Sequence, residues 1–258
     1  MKVLATYNLK GGVGKTATAV NLSHLAAQDG FSTLLWDLDP QGAATFTFRI
    51  KARVKGGSKA LVGRSTPIDR AIKGTDFERL DLVPADFSYR NMDLHLDARK
   101  KPVRRLRRVL APLSGEYDLV ILDCPPSISL VSESIMEASD LLLVPLIPAT
   151  LSLRTFGQLN EFLAGFDGRA PQVLGFFSMV DRRKRMHREI VAAPQPAGRN
   201  ASSATIAKTA IPALAIIERM AEVRAPVTAS APRSVAAMCY ADLWSEVRAT
   251  LSLRGPEA

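Results

Sequence analysis

The stretch Val3-Leu4-Ala5-Thr6-Tyr7-Asn8-Leu9-Lys10-Gly11-Gly12-Val13-Gly14-Lys15-Thr16 decides how this chain is read. An apolar run, Val3 to Tyr7, enters a glycine-rich loop. Beyond the loop, Ala19, Val20, Leu22, Leu25 and Ala26 recur at helical spacing. Strand, glycine loop and helix in that order form the setting of a phosphate-binding loop. Glycines let successive backbone N–H groups turn inward around an anion. The helix that opens after Lys15 adds the positive end of its dipole. Gly11, Gly12, Val13, Gly14, Lys15, Thr16 and Ala17 are therefore the candidate nucleotide-binding residues. Lys15 is expected against the β- and γ-phosphates, and the Thr16 hydroxyl on Mg²⁺. The strict pattern G-x-x-x-x-G-K-[ST] is not met, because Leu9 stands at its first glycine position and Lys10 directly precedes Gly11-Gly12.

Two further strand ends bear on this loop. Ser32-Thr33-Leu34-Leu35-Trp36 runs into Asp37-Leu38-Asp39-Pro40-Gln41-Gly42, and Tyr117 to Leu122 runs into Asp123-Cys124-Pro125-Pro126-Ser127. The first helix is a crossover between parallel strands. Acids at the carboxyl ends of such strands lie at the ligand edge of an open α/β sheet. A lone acid there is often only a helix cap, but two such ends facing one phosphate loop point to Mg²⁺ and phosphoryl chemistry. Asp123 reads as the metal acid, Asp39 as the group orienting water and Asp37 as lying nearer the metal. Spacing leaves the roles of Asp37 and Asp39 exchangeable.

Alternating strand and helix patterns continue, which predicts an α/β fold: a doubly wound, mostly parallel sheet flanked by helices. Helices are expected near 15–29, 67–73, 130–138, 152–165, 214–222 and 233–252, with another opening within 181–188. Residues 46–66 read as a basic loop with a short helix, and 88–113 as a helical region interrupted near Pro102. Strands are expected at 33–37, 80–84, 141–145 and 173–180, and 194–204 as a loop. One domain, 1–258, is the economical reading. The phosphate loop starts within ten residues of Met1, so no N-terminal helix-turn-helix domain is expected.

The chain has 258 residues, 47% of them hydrophobic, enough for a sizeable core. No apolar run approaches the ~18 residues of a membrane span. Cys124 and Cys239 lack metal-ligand spacing and fit free thiols in a reducing cytoplasm. The net charge of +9 points to a polyanionic partner, with nucleic acid ahead of membrane. Candidate DNA-binding residues are Arg182, Arg183, Arg185 and Arg188, then Lys208, Arg219, Arg224 and Arg233; phosphate contacts need only positive charge and reach. The run Arg99 to Arg108 is either a second such surface or a solvated helix face. His187 reads as a surface histidine.

Lys10 to Thr16 resembles the deviant Walker A loop of the ParA/MinD ATPases. Leu35 to Thr45 is similar to that family's D-x-D-P-Q-G-x-A-T stretch, and Tyr117 to Ser127 to its Walker B region. Met179 to Arg183 and Ile211-Pro212 resemble later landmarks near the base and the dimer face; residues 46–116 match poorly. The resemblance implies ATP and Mg²⁺ as ligands, with Pro212 near the base. It implies a homodimer when ATP is bound, in which Lys10 reaches the partner's phosphates, so that Lys10, Lys15 and Asp39 form the catalytic set. It further implies non-specific binding of double-stranded DNA at the nucleoid. A ParB-like or cargo-adaptor protein would stimulate slow hydrolysis, and the cargo would be a plasmid, a chromosomal origin or a protein cluster such as carboxysomes or chemotaxis arrays.

Two alternatives stand beside it. A MinD-like membrane switch would need a C-terminal membrane-binding helix. The stripe Tyr240, Leu243, Trp244, Val247 and Leu251 carries only Arg248 and Arg254 as basic neighbours, which favours a helix docked on the core and no stable membrane association. A P-loop synthetase acting on a small molecule would need a second substrate motif, and none is evident.

Overall fold

The computed structural model describes residues 1–193 and 204–255. The loop expected at 194–204 lies, but for its last residue, outside the described residues. The strands are β1 (Lys2–Thr6), β2 (Thr33–Asp37), β3 (Lys73–Gly74), β4 (Leu80–Val83), β5 (Leu119–Asp123), β6 (Leu141–Leu146), β7 (Gln172–Val180) and β8 (Thr205–Pro212). They form one eight-stranded sheet in the order β3-β4-β2-β5-β1-β6-β7-β8. Only β3 runs antiparallel, at one edge. β1 thus lies at the middle of the sheet, paired with β5 and β6.

Helices cover both faces, so the central strands are apolar except at their ends. Side chains alternate across a strand. Val3, Ala5 and Tyr7 of the first strand and its exit, with Leu34, Trp36, Val120 and Leu122, enter the core on one face. That face is closed by α4 (Met92–Asp97), α5 (Arg105–Leu110), α6 (Leu130–Ala138) and α7 (Thr150–Ala164). Leu4, Leu35, Leu119 and Ile121 enter the opposite core, under α1 (Lys15–Gln28) and a C-terminal helix, Val235–Thr250. Tyr240, Leu243, Trp244, Val247 and Leu251 of the C-terminal stripe are all buried there, and Trp244 Nε1 donates to Asp29 at 2.8 Å. Among the described residues no helix is long and apolar enough to cross a membrane.

Several expected boundaries shift. The helix expected over 67–73 is a 3₁₀ turn, Ile68–Ala71, followed by β3. Only Ile68 and Ala71 of that turn are buried, a single i, i+3 contact that anchors one tight turn and no more. The basic segment 46–66 takes in the end of α2 (Ala43–Thr47) and the whole of α3 (Gly57–Gly63). The helix within 181–188 starts only at Arg185, as α8 (Arg185–Ala192). The helix expected over 214–222 is two short ones, α9 (Ala215–Glu218) and α10 (Met220–Val223), the second ended by Arg224 in left-handed backbone at φ 53°. α11 (Val227–Ser230) and the C-terminal helix, α12 (Val235–Thr250), complete the chain.

Candidate nucleotide site

The glycine loop leaves β1 at the carboxyl edge of the sheet, and its flanks are stitched in place. The Tyr7 hydroxyl donates to the Ser127 carbonyl at 3.0 Å, and Asn8 Nδ2 donates to the Pro145 carbonyl at 2.7 Å. Asn8 Oδ1 in turn accepts the Lys10 N–H at 2.9 Å. Gly14 has φ 96°, and a Cβ there would stand 2.8 Å from Ser178 Oγ. Both the backbone and the space therefore demand glycine. Lys15 is buried, and its Nζ donates to the Lys10 carbonyl at 2.8 Å. Burial lowers its pKa, while nearby Asp123, Cys124 and Asp39 pull it back up.

Thr6, Asp123 and Asp37 form one row across three neighbouring strands, with Asp123 in register with both others. Asp123 is fully buried. Burial, and then the charge of Asp37, push its pKa well above the usual carboxylate range, against an opposing hydrogen bond from Thr16. Its Oδ1 lies 3.5 Å from Thr6 Oγ1, and its Oδ2 has no hydrogen-bond partner. A buried carboxylate oxygen left orphaned beside a threonine hydroxyl is costly unless a cation completes it. An all-oxygen donor pair is what Mg²⁺ prefers. Thr16 and Asp123 therefore fit a magnesium site.

Asp37 is engaged differently. Its Oδ2 accepts the Thr45 N–H at 2.8 Å and the Thr45 hydroxyl at 2.7 Å, and its Oδ1 faces the Asp39 N–H at 3.3 Å. Thr45 Oγ1 also accepts the Ala85 N–H at 2.8 Å. One carboxylate thus clamps both ends of the loop that carries Asp39. Burial lifts its pKa to about 6, with the Thr45 bonds opposing and Asp39 adding to the rise. Asp37, expected nearer the metal, stands in the row beside Asp123. Its oxygens, however, are already used by protein donors. Asp39 instead reaches the cavity wall.

A cavity of about 320 Å³ lies over the loop. Gly11, Gly12, Gly14, Lys15, Thr16, Ala17, Asp39 and Pro212 line it, as the sequence suggested. Val13 does not; it is buried at 2% exposure. The Lys10 side chain is exposed, and its carbonyl serves Lys15. The far wall is largely apolar: Met179, Leu214, Ile217 and Tyr240 join Pro212 there, with Ser178 beside Gly14. In the sequence, Tyr240 reads only as part of a core stripe. The signal that could have found this wall is topological. β7 and β8 run parallel to β1, so their carboxyl ends reach the same edge. A glycine-rich, cationic end and an apolar end suit a phosphate chain and an aromatic base.

The candidate DNA-binding residues all fall in the last third of the chain. Arg182, Arg188, Lys208 and Arg233 are exposed, without an ion-pair partner among the described residues. Arg183, Arg185 and Arg219 pair with Asp181, Glu189 and Glu222 on the surface, contacts that contribute little to stability. Arg224 is half-buried and already engaged: its guanidinium lies 4.3 Å from the Phe46 ring centre and its Nε donates to the Phe46 carbonyl, so it fastens α10 to α2. His187 is a correction. It is buried, and its Nδ1 accepts the Asp181 N–H at 3.1 Å, so the turn after β7 folds around it.

A parallel sheet whose middle strand feeds a glycine loop, with a buried acid on the adjacent strand, defines a P-loop nucleotide-binding protein. An AAA domain family model matches residues 1–174. The sporulation initiation inhibitor protein Soj of Bacillus subtilis (strain 168) is 31% identical over 255 residues, covering 96% of this chain and 98% of that protein. The chromosome partitioning protein ParA of Caulobacter vibrioides (strain NA1000 / CB15N) is 32% identical over 198 residues, 74% of each. The cobyrinic acid a,c-diamide synthase of Mycobacterium smegmatis, solved with an ATP analogue and magnesium, superposes with a TM-score of 0.75 at 25% identity, covering 99% of this chain and 98% of that one. The chain belongs to the ParA/MinD family of P-loop ATPases. In fold it is also similar to Cyanothece McdA in complex with ATP, with a TM-score of 0.78 at 20% identity over 100% of this chain and 99% of that one.

Proposed function

We propose that this protein is an ATP-driven positioning switch. It binds ATP with Mg²⁺, dimerises in that state, holds double-stranded DNA without sequence preference, and lets go when a partner protein stimulates hydrolysis. The observation that carries the reading is the convergence of Lys15, Thr16 and Asp39 on one cavity beside the orphaned Asp123 oxygen. The whole chain acts as one ATPase domain, in the cytoplasm at the nucleoid.

The residues divide the work. Backbone N–H groups of the glycine loop cradle the phosphate chain, and Lys15 gives up the Lys10 carbonyl to meet the β- and γ-phosphates. Thr16 and Asp123 would hold Mg²⁺, which when bound would neutralise charge on the terminal phosphates. Asp39, fixed through the Asp37–Thr45 clamp, orients the attacking water. The exposed Lys10 suits a role across a dimer interface, where a cation supplied in trans stabilises charge developing on the partner's γ-phosphate. Arg182, Arg188, Lys208 and Arg233 supply the unpaired positive charge for DNA.

The test is retention of plasmid DNA with ATP or ADP at rising salt. ATP-dependent, salt-sensitive retention is expected, weakened by reversing Arg182 and Arg188 together. Pelleting with anionic liposomes and no DNA retention would instead support a membrane switch. Lys10→Ala should bind nucleotide as a monomer but fail to dimerise or hydrolyse ATP; normal hydrolysis by that variant removes Lys10 from the mechanism.

A further inference from the structure

The arginine run after residue 99 forms a site that nucleotide chemistry does not use. Glu137, near the end of α6, has a side chain only 2% exposed. Arg104 Nε and Arg107 Nη1 approach its Oε1 at 3.7 and 3.5 Å, and the Arg169 N–H donates to its Oε2 at 2.5 Å. The loop bearing Arg169 comes this close only because residue 168 is glycine. A Cβ there would stand 2.7 Å from Glu137 Oε2 and from the Phe166 ring. Arg169 is held from the other side by an ion pair to Asp140. Arg108 completes the wall and has no acidic partner among the described residues.

Four guanidiniums and one carboxylate therefore line a recess of about 560 Å³. Each guanidinium carries five N–H donors. The contacts of Arg104 and Arg107 with Glu137 are long and single, so most of their donors stay free. Glu137 works as an anchor that gathers the arginines, not as a counter-charge that neutralises them. α6 descends from the carboxyl edge of the sheet after β5, and Glu137 lies just before β6 begins. The recess is thus at the edge opposite the nucleotide.

We propose that this recess docks an acidic segment of a partner protein. Arginine forks bind carboxylates in bidentate fashion. Next to Glu137 the Phe166 ring lies against residue 168, and Phe162, 44% exposed, packs on that ring at 5.9 Å between ring centres. Arginine next to an exposed aromatic is the composition of protein–protein interface centres. A DNA duplex would use the charges but not the ring, and its convex backbone suits an open surface better than a recess with a carboxylate at its floor. The site does not depend on the nucleotide reading, and it would be present whether or not ATP is bound.

The test is fluorescence anisotropy with a fluorescein-labelled peptide of glutamates with interspersed phenylalanines. Arg108→Glu is the informative variant, because it leaves Glu137 with its partners. Lys55→Glu, at an exposed position elsewhere, makes the same change in net charge. Arg108→Glu should weaken the peptide about tenfold while Lys55→Glu has little effect, and binding of a fluorescent ATP analogue should be unchanged in both. Equal weakening by the two variants, or no peptide binding by the parent protein, overturns the proposal. So does a loss of duplex DNA binding in Arg108→Glu that exceeds its loss of peptide binding, which would make the recess a nucleic-acid site.

Discussion

Replacing Thr45 with valine tests whether the Asp37 clamp holds the Asp39 loop. Valine fills nearly the same space but has no hydroxyl. The parent hydroxyl donates to the buried Asp37 carboxylate at 2.7 Å and accepts the Ala85 N–H at 2.8 Å. Losing a hydrogen bond to a charged acceptor costs about 1.5–3 kcal/mol, and orphaning a buried N–H costs about 1–3 kcal/mol more. Ala85 is fully buried, so water cannot take over. The two losses share one group and overlap, so a total of roughly 3–5 kcal/mol is expected, a large part of the ~5–15 kcal/mol that holds a typical domain. Urea unfolding followed by circular dichroism at pH 7 measures it through the midpoint and slope. Thr45→Ser keeps the hydroxyl and should recover most of the loss. ATP turnover should fall in the valine variant, since Asp39 loses its support. A deficit below about 1 kcal/mol, or a serine variant as weak as the valine one, would refute the clamp.

Burial raises the pKa of Asp37 from 3.8 to about 6. A raised folded-state pKa adds stability that is complete below the unfolded value and is lost as pH climbs through the folded one. Without Mg²⁺ and nucleotide, Asp37 should therefore add about 1.3 kcal/mol of stability from pH 7 to pH 5, with its full ~3 kcal/mol reached only below the unfolded value. Buried His24, its pKa lowered by burial to about 4, acts in the opposite sense over the same interval, so urea midpoints of the parent and of Asp37→Asn are compared, and an equal pH dependence in the two would contradict this. Asp123→Asn removes a buried charge, so it should raise stability without Mg²⁺ while abolishing the Mg²⁺-dependent part of nucleotide affinity. Titration with a fluorescent ATP analogue, with and without Mg²⁺, reads that outcome. Gly14→Ala, at φ 96° and against Ser178, should cost more than ~1 kcal/mol and weaken nucleotide binding, whereas Gly11→Ala, with open space around it, should leave unfolding unchanged.

Much of the nucleotide site was legible because its chemistry is local. A glycine loop between a strand and a helix, and an acid at the end of an apolar run, each occupy a few consecutive residues. The positions of Lys15, Thr16, Asp39 and Asp123 follow from that. The apolar wall was harder, since Met179, Leu214, Ile217 and Tyr240 come from segments far apart in the chain and meet only after the sheet is ordered. The difference between Asp37 and Asp39 was not legible at all. Both are acids at one strand end, and only Thr45, eight residues on, decides which is consumed by the backbone. The same holds for His187 and Arg224, whose partners Asp181 and Phe46 are chosen by folding. The arginine run read as a choice between a solvated face and a DNA surface, because Glu137 and Arg169 lie at sequence distances no helical period reports.

The row of Thr6, Asp123 and Asp37 has a consequence for how such a site can change. Strand register in this sheet is fixed by apolar residues on both faces, with odd and even positions committed to different cores. A slip of β5 by one residue would swing Asp123 away from the α1 side and drive Leu122 in its place. Every neighbouring leucine and valine would be misplaced by the same step. Substitutions can therefore alter the acids one at a time, but no insertion or deletion within these strands can move them. The spacing of these acids is locked by the hydrophobic core, and variation is confined to the loops that follow the strand ends.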